Sequence, residues 1–202
     1  FARWCNKDST LDMIDYNILK KTGKLKEFLL NSVPQPWYSS VYPVVSLKWE
    51  NKSYDRLDVC TVLLPEIIEF LVLSIKKAKG NALIAIKLIN REFCMTNDFP
   101  IFMAVIDISW FDPNLISPDT PVPSGIGAIP YLNILQKALN LKDHHTTALK
   151  MIELQHEYWP DAPRKFTPVD IEYLSCECRK YFSYINGTKK FKGKNLFIPK
   201  NS

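Results

Sequence analysis

Ala82-Leu83-Ile84-Ala85-Ile86-Lys87-Leu88-Ile89-Asn90-Arg91-Glu92-Phe93 and, a short way on, Pro100-Ile101-Phe102-Met103-Ala104-Val105-Ile106-Asp107-Ile108-Ser109-Trp110-Phe111 decide the fold. Ile84, Ile86 and Ile89, then Ile101, Val105, Ile106 and Ile108, set β-branched side chains at a density that suits a pleated surface better than a helix. Two strands are expected. Asn97-Asp98 between them is a turn pair, and an antiparallel return is the simplest connection, because a parallel one needs a crossover of about a dozen residues.

Just upstream, Pro65 stands where a first helical residue would, Glu66 and Glu69 follow it, and Lys76, Lys77 and Lys79 precede Gly80. Proline at the start, acids in the first turn and bases in the last suit a helix and its dipole, and glycine supplies the left-handed cap. A helix from Pro65 to Lys79 is expected there. Val41 to Trp49 and Tyr54 to Leu64 flank Glu50-Asn51-Lys52-Ser53 as a further hairpin. The fold class that results is α+β: a mainly antiparallel sheet with an inserted helix over residues 37–112, followed by a helical C-terminal part.

Residues 1–36 read as an N-terminal helical segment. Ser9 or Thr10 is placed to cap a helix carrying Leu11, Ile14 and Ile18, and a second helix through Leu25, Phe28 and Leu29 stops at Pro34 and Pro36. Trp37 then tucks a stiff connector onto the core. Residues 113–130 form a proline-rich connection, with Pro113, Pro118, Pro121, Pro123 and Pro130 and the pair Gly125 and Gly127. The glycine pair lacks the third glycine and the preceding strand of a dinucleotide loop. Over residues 131–202 three helices and a basic tail are expected: Tyr131 to Leu141, then His144 to Trp159 capped by Asp143, then one opened by Thr167-Pro168-Val169-Asp170, a variant of the capping box. The last is expected to turn Ile171, Leu174, Cys178, Tyr181, Phe182 and Ile185 to the core and to end at Asn186-Gly187.

The chain has 202 residues, 47% of them hydrophobic, and a formal net charge of +5. That is enough to bury a sizeable core. From Arg164 onward nine Lys or Arg stand against three acids, a balance of +6, so the basic character belongs to the C-terminal fifth. Such asymmetry points to an anionic partner. Five scattered cysteines, Cys5, Cys60, Cys94, Cys176 and Cys178, with no signal peptide, favour an intracellular, reducing compartment. No apolar run reaches the roughly 18 residues of a membrane span.

Chemistry-bearing candidates are few. Cys176 and Cys178 lie two apart on a helix and face different sides, and with His144, His145 and His156 they do not make a zinc spacing, so no metal and no cofactor is expected. Asp107 is the sharper candidate, since a carboxylate among apolar neighbours is costly to bury without a partner or a metal. With Asp112, and with Glu153, Glu157 or Asp170, it would build a divalent-metal phosphodiesterase site. The stretch Val105 to Ser109 resembles, over these few residues, the first strand of ribonuclease H-like nucleases, and no further motif follows it. In an expected strand, Asp107 shares a face with Val105 and Ser109 and turns toward solvent.

The favoured expectation is a non-catalytic binding or assembly protein. Its basic end would meet nucleic acid or an acidic protein surface through Arg179, Lys180, Lys189, Lys190, Lys192 and Lys194. Aromatics interleave with the bases in Arg179-Lys180-Tyr181-Phe182 and again in Lys190-Phe191-Lys192, a pattern that suits single strands.

Overall fold

The computed structural model describes residues 3, 5–19, 24–38, 46–93 and 98–188. The chain divides into two compact units, Phe1–Pro123 and Ser124–Ser202, the division falling inside the proline-rich stretch.

In the first unit the elements are α1 (Asp8–Leu11), α2 (Tyr16–Leu19), α3 (Lys24–Ser32), β1 (Leu47–Trp49), β2 (Lys52–Tyr54), α4 (Arg56–Asp58), a π-helical stretch (Val59–Leu63), α5 (Leu64–Glu66), α6 (Ile68–Lys77), α7 (Ala82–Phe93) and α8 (Phe99–Phe111). Helices dominate, and the described sheet is one two-stranded antiparallel hairpin in the register Leu47 to Tyr54 and Trp49 to Lys52. Its turn residues, Glu50 and Asn51, both have positive φ, at 45° and 64°, the backbone twist a two-residue hairpin loop requires.

The two expected central strands are helices, α7 and α8. The helical period was present in the first: Ala82, Ala85, Ile86, Ile89 and Phe93 are buried, at spacings of three and four, while Ile84 is exposed. β-Branched residues cost a helix a few tenths of a kcal/mol each, up to about 0.7. Burying each Ile or Phe returns about 1.5–3 kcal/mol. Burial wins. In α8, Pro100, Ile101, Phe102, Met103, Val105, Ile106 and Ser109 are all buried, so apolar residues surround the axis and no period survives to distinguish the two structures. Pro100 sits in the first turn of α8, where its missing N–H is no loss. Asn81 accepts from the Ile84 N–H at 3.0 Å, and the Thr120 hydroxyl accepts from the Ala82 N–H at 2.9 Å. Together they cap α7.

Residues 56–63, expected as a strand, are also helical. Asp55 caps α4 by accepting from the Asp58 N–H at 2.8 Å. The expected helix over 65–79 is found as α5 and α6 with a break at Ile67, and Lys79 and Gly80 end it at positive φ. The expected N-terminal helix is split into α1 and α2, because Asp15 restarts the chain by accepting from the Asn17 and Ile18 N–H groups at 2.6 and 2.9 Å. Trp37 is buried and donates to Val33 O at 3.0 Å. Trp49 of β1 meets Phe70 of α6 and Phe93 of α7, with ring centroids 5.0 and 5.7 Å apart. The 113–123 stretch is no free linker: Ile116 is fully buried and bridges to Gly80.

The second unit holds α9 (Ile129–Ala138), α10 (His144–Tyr158) and α11 (Pro168–Ile185), each packed on the other two. Ala128, Leu132, Ala148 and Ile171 form its core, with Met151, Ile152, Phe166 and Cys176 against it. Asp143 caps α10, where the Thr146 N–H and hydroxyl hold its carboxyl below the usual carboxylate range. No described helix is long and apolar enough to cross a membrane.

Candidate nucleic-acid interface

Helix α11 positions the described part of the basic end. Thr167 and Asp170 close a capping box at its start, and Asp170 also takes both nitrogens of Arg164 at 2.8 Å. Burial pushes the Asp170 carboxyl up, but the Arg164 guanidinium and the Thr167 donors outweigh it and hold the group below its ordinary value. The start of α11 is therefore fixed by a network, with Arg164 committed to it.

The buried face of α11 differs from the expected one. Pro168, Val169, Ile171, Glu172 and Ser175 are buried, whereas Leu174, Tyr181, Phe182 and Ile185 are exposed. The reason lies in residues 124–128. A Cβ at Gly125 would stand 2.8 Å from Glu172 Oε1, and one at Gly127 would stand 2.5 Å from Cys176 Sγ. The two glycines let the backbone press onto Glu172 and Cys176, turning that side of α11 inward. The Gly125 N–H donates to Glu172 Oε1 at 3.0 Å. This bond makes the burial of an acid tolerable, and desolvation still pushes the Glu172 carboxyl up.

What is left outward is aromatic. Phe182 stacks on Tyr131 of α9 with centroids 5.7 Å apart and planes at 23°, and Tyr181 meets Phe182 edge-on at 6.0 Å. Burial, and then Cys178, raise the Tyr131 hydroxyl above its ordinary value. Tyr181 is 62% exposed and Tyr184 53%. Lys180 is exposed beside them and paired with Glu177 within the same helix. Arg179 is half-buried, its Nη2 3.9 Å from where a Gly127 Cβ would sit. Lys180 thus faces solvent with the aromatics, while Arg179 lies against the glycine loop. Lys189, Lys190, Lys192 and Lys194 lie outside the described residues.

Sequence reasoning missed a hydrogen-bond chain in this unit. His144 Nδ1 lies 2.8 Å from Ser124 Oγ, and its Nε2 lies 2.8 Å from Asn133 Oδ1. With Nε2 donating to Asn133, the neutral ring accepts from the Ser124 hydroxyl, the contact a serine nucleophile makes with its base. The N–H next to Ser124, the natural oxyanion donor, is already taken by Glu172. These contacts tie the glycine loop to α9 and α10. No spacing motif links Ser124, Asn133 and His144, so only the fold brings them together.

In the first unit Asp107 lies on α8, not on a strand, and Arg3 grips it: Arg3 Nε donates to Oδ2 at 2.7 Å and Nη2 to Oδ1. Asp112 ends the same helix and accepts from the Asn114 N–H at 3.0 Å. Asp112 stands five positions on, past the last helical residue and in extended backbone. Among the described residues no group of three or more His, Cys, Asp and Glu is placed to hold a metal ion. The chain matches no protein-family model, no curated protein and no solved structure.

Proposed function

We propose that this chain is a non-catalytic binding or assembly protein whose basic C-terminal part takes single-stranded nucleic acid. The supporting observation is the solvent-facing aromatic group of α11: Tyr181, with Phe182 held on Tyr131, beside exposed Lys180. Base-on-aromatic stacking contributes about 1–3 kcal/mol per base and tolerates any sequence. The lysine-rich sequence that follows, Lys189 to Lys194, supplies charge for phosphates, and Lys180 adds to it. A divalent-metal phosphodiesterase centred on Asp107 is the weaker reading, because the Arg3 guanidinium occupies both oxygens of that carboxylate.

Fluorescence anisotropy with a labelled oligothymidine tests the proposal. Binding at low salt should weaken steeply as salt rises. Tyr181→Ala should weaken it at every salt concentration with the slope unchanged. Changing Lys180, Lys189, Lys190, Lys192 and Lys194 to Ala should flatten the slope. Absence of binding at low salt would remove nucleic acid as the partner.

A further inference from the structure

Cys5 and Cys60 are separated by 55 positions in sequence, yet their sulfurs lie 3.5 Å apart. Each residue is 2% exposed. Cys60 belongs to the π-helical stretch, where its thiol also reaches Leu57 O at 3.2 Å. Arg56 stands one helical turn before it, its guanidinium 3.4 Å over the Tyr38 ring. Two thiols in contact, walled from bulk solvent and beside a fixed cation, form a different arrangement from Cys176 and Cys178, which are half-exposed and point to different sides of α11.

We infer that Cys5 and Cys60 form a peroxide-oxidisable dithiol, a modification site at which a small oxidant closes a disulfide between the N-terminal segment and the π-helical stretch. Cys5 is the attacking sulfur. The one Cys60 S–H lies within reach of both Leu57 O and the Cys5 sulfur; turned to Cys5 it favours the Cys5 thiolate against the cost of burial, and the Arg56 guanidinium adds to the effect. Cys60, as the donor in that contact and buried, is held in the thiol form.

The steps balance. The Cys5 thiolate attacks one oxygen of hydrogen peroxide and the O–O bond breaks. Hydroxide leaves and takes up the thiol proton as water, and Cys5 becomes a sulfenic acid. The Cys60 sulfur then attacks the Cys5 sulfur, the S–S bond forms, and the sulfenic oxygen leaves with the Cys60 proton as a second water. Both sulfurs are oxidised and peroxide is reduced. Burial sets the oxidant class, since peroxide is small enough to reach a site that admits no bulky disulfide. Closing so long a loop constrains the unfolded chain, so the oxidised protein should be the more stable form.

The experiment treats the reduced, folded full chain with hydrogen peroxide, blocks remaining thiols and maps peptides without reduction. The expected product is a Cys5–Cys60 cross-link, with an intact mass lower by two hydrogens, a raised melting temperature, and reversal by dithiothreitol. In Cys60→Ser, dimedone added in denaturant after the peroxide is removed should label Cys5; in Cys5→Ser, Cys60 should stay unlabelled under the same treatment. Wild-type mapping needs neither variant to fold. A cross-link through any other cysteine, oxidation confined to Cys176 and Cys178, or unchanged Cys5 and Cys60 would each overturn the inference.

Discussion

Arg3 holds Asp107 through both carboxylate oxygens across 104 positions of sequence, fastening the N-terminal segment to the middle of α8. The side chains are 28% and 42% exposed, so solvent screens the pair. A double-mutant cycle of Arg3→Ala and Asp107→Asn in urea unfolding should give a coupling of about 0.2–1 kcal/mol, the range of solvent-exposed ion pairs. Magnesium or manganese should leave the melting temperature of both wild type and Asp107→Asn unchanged. A metal-induced rise abolished by Asp107→Asn would restore the phosphodiesterase reading.

Glu172 and Asp170 sit two residues apart on α11, and the fold shifts their carboxyls in opposite directions from their ordinary values. For Glu172, burial raises the folded value above the ordinary 4.5, so the folded state binds the extra proton and stability falls as pH rises through that window. For Asp170 the folded value lies below the ordinary 3.8, so its contribution is present above that pH and is lost as pH falls through the folded value. Thermal melts from acid to neutral pH should therefore show that Glu172→Gln flattens the decline toward neutrality. Asp170→Asn should remove part of the loss in acid. The same pH dependence in both variants as in wild type would show that neither carboxyl is held as described.

Local signals at helix ends were legible in the sequence and global ones were not. Asp143 and Thr167-Pro168-Val169-Asp170 marked the starts of α10 and α11, because capping uses side chains within three residues of the bonds they satisfy. The hairpin was expected with Glu50-Asn51-Lys52-Ser53 as its loop; the turn is Glu50-Asn51 alone, and Lys52 and Ser53 are already paired in β2. For α7 the helical spacing of Ala82, Ala85, Ile86, Ile89 and Phe93 was in the sequence but its β-branched density pointed the other way, whereas α8 is apolar nearly all round and offers no period to read. The face of α11 was set by Gly125 and Gly127, which stand 47 and 49 residues upstream of Glu172 and Cys176, the side chains they meet. Gly-x-Gly was visible, but its partners were not. Cys5 beside Cys60, and Ser124 beside His144, are likewise products of the tertiary fold.

The reassigned face of α11 yields the sharpest stability contrast. On the expected face Ile171 and Tyr181 would both pack inward, and truncating either would open a cavity. In the structure Ile171 is 5% exposed within the core of α9, α10 and α11, while Tyr181 is 62% exposed. Ile171→Ala should therefore cost about 2–5 kcal/mol, the range for a buried aliphatic truncation. Tyr181→Ala should change stability by no more than about 0.5 kcal/mol, as surface substitutions do. Phe182→Ala should fall between them, since its ring is partly covered by Tyr131. Urea unfolding of the three variants measures the order directly. Loss of nucleic-acid affinity in Tyr181→Ala with stability intact would separate a binding surface from a core position, and a large destabilisation by Tyr181→Ala would return that side chain to the interior.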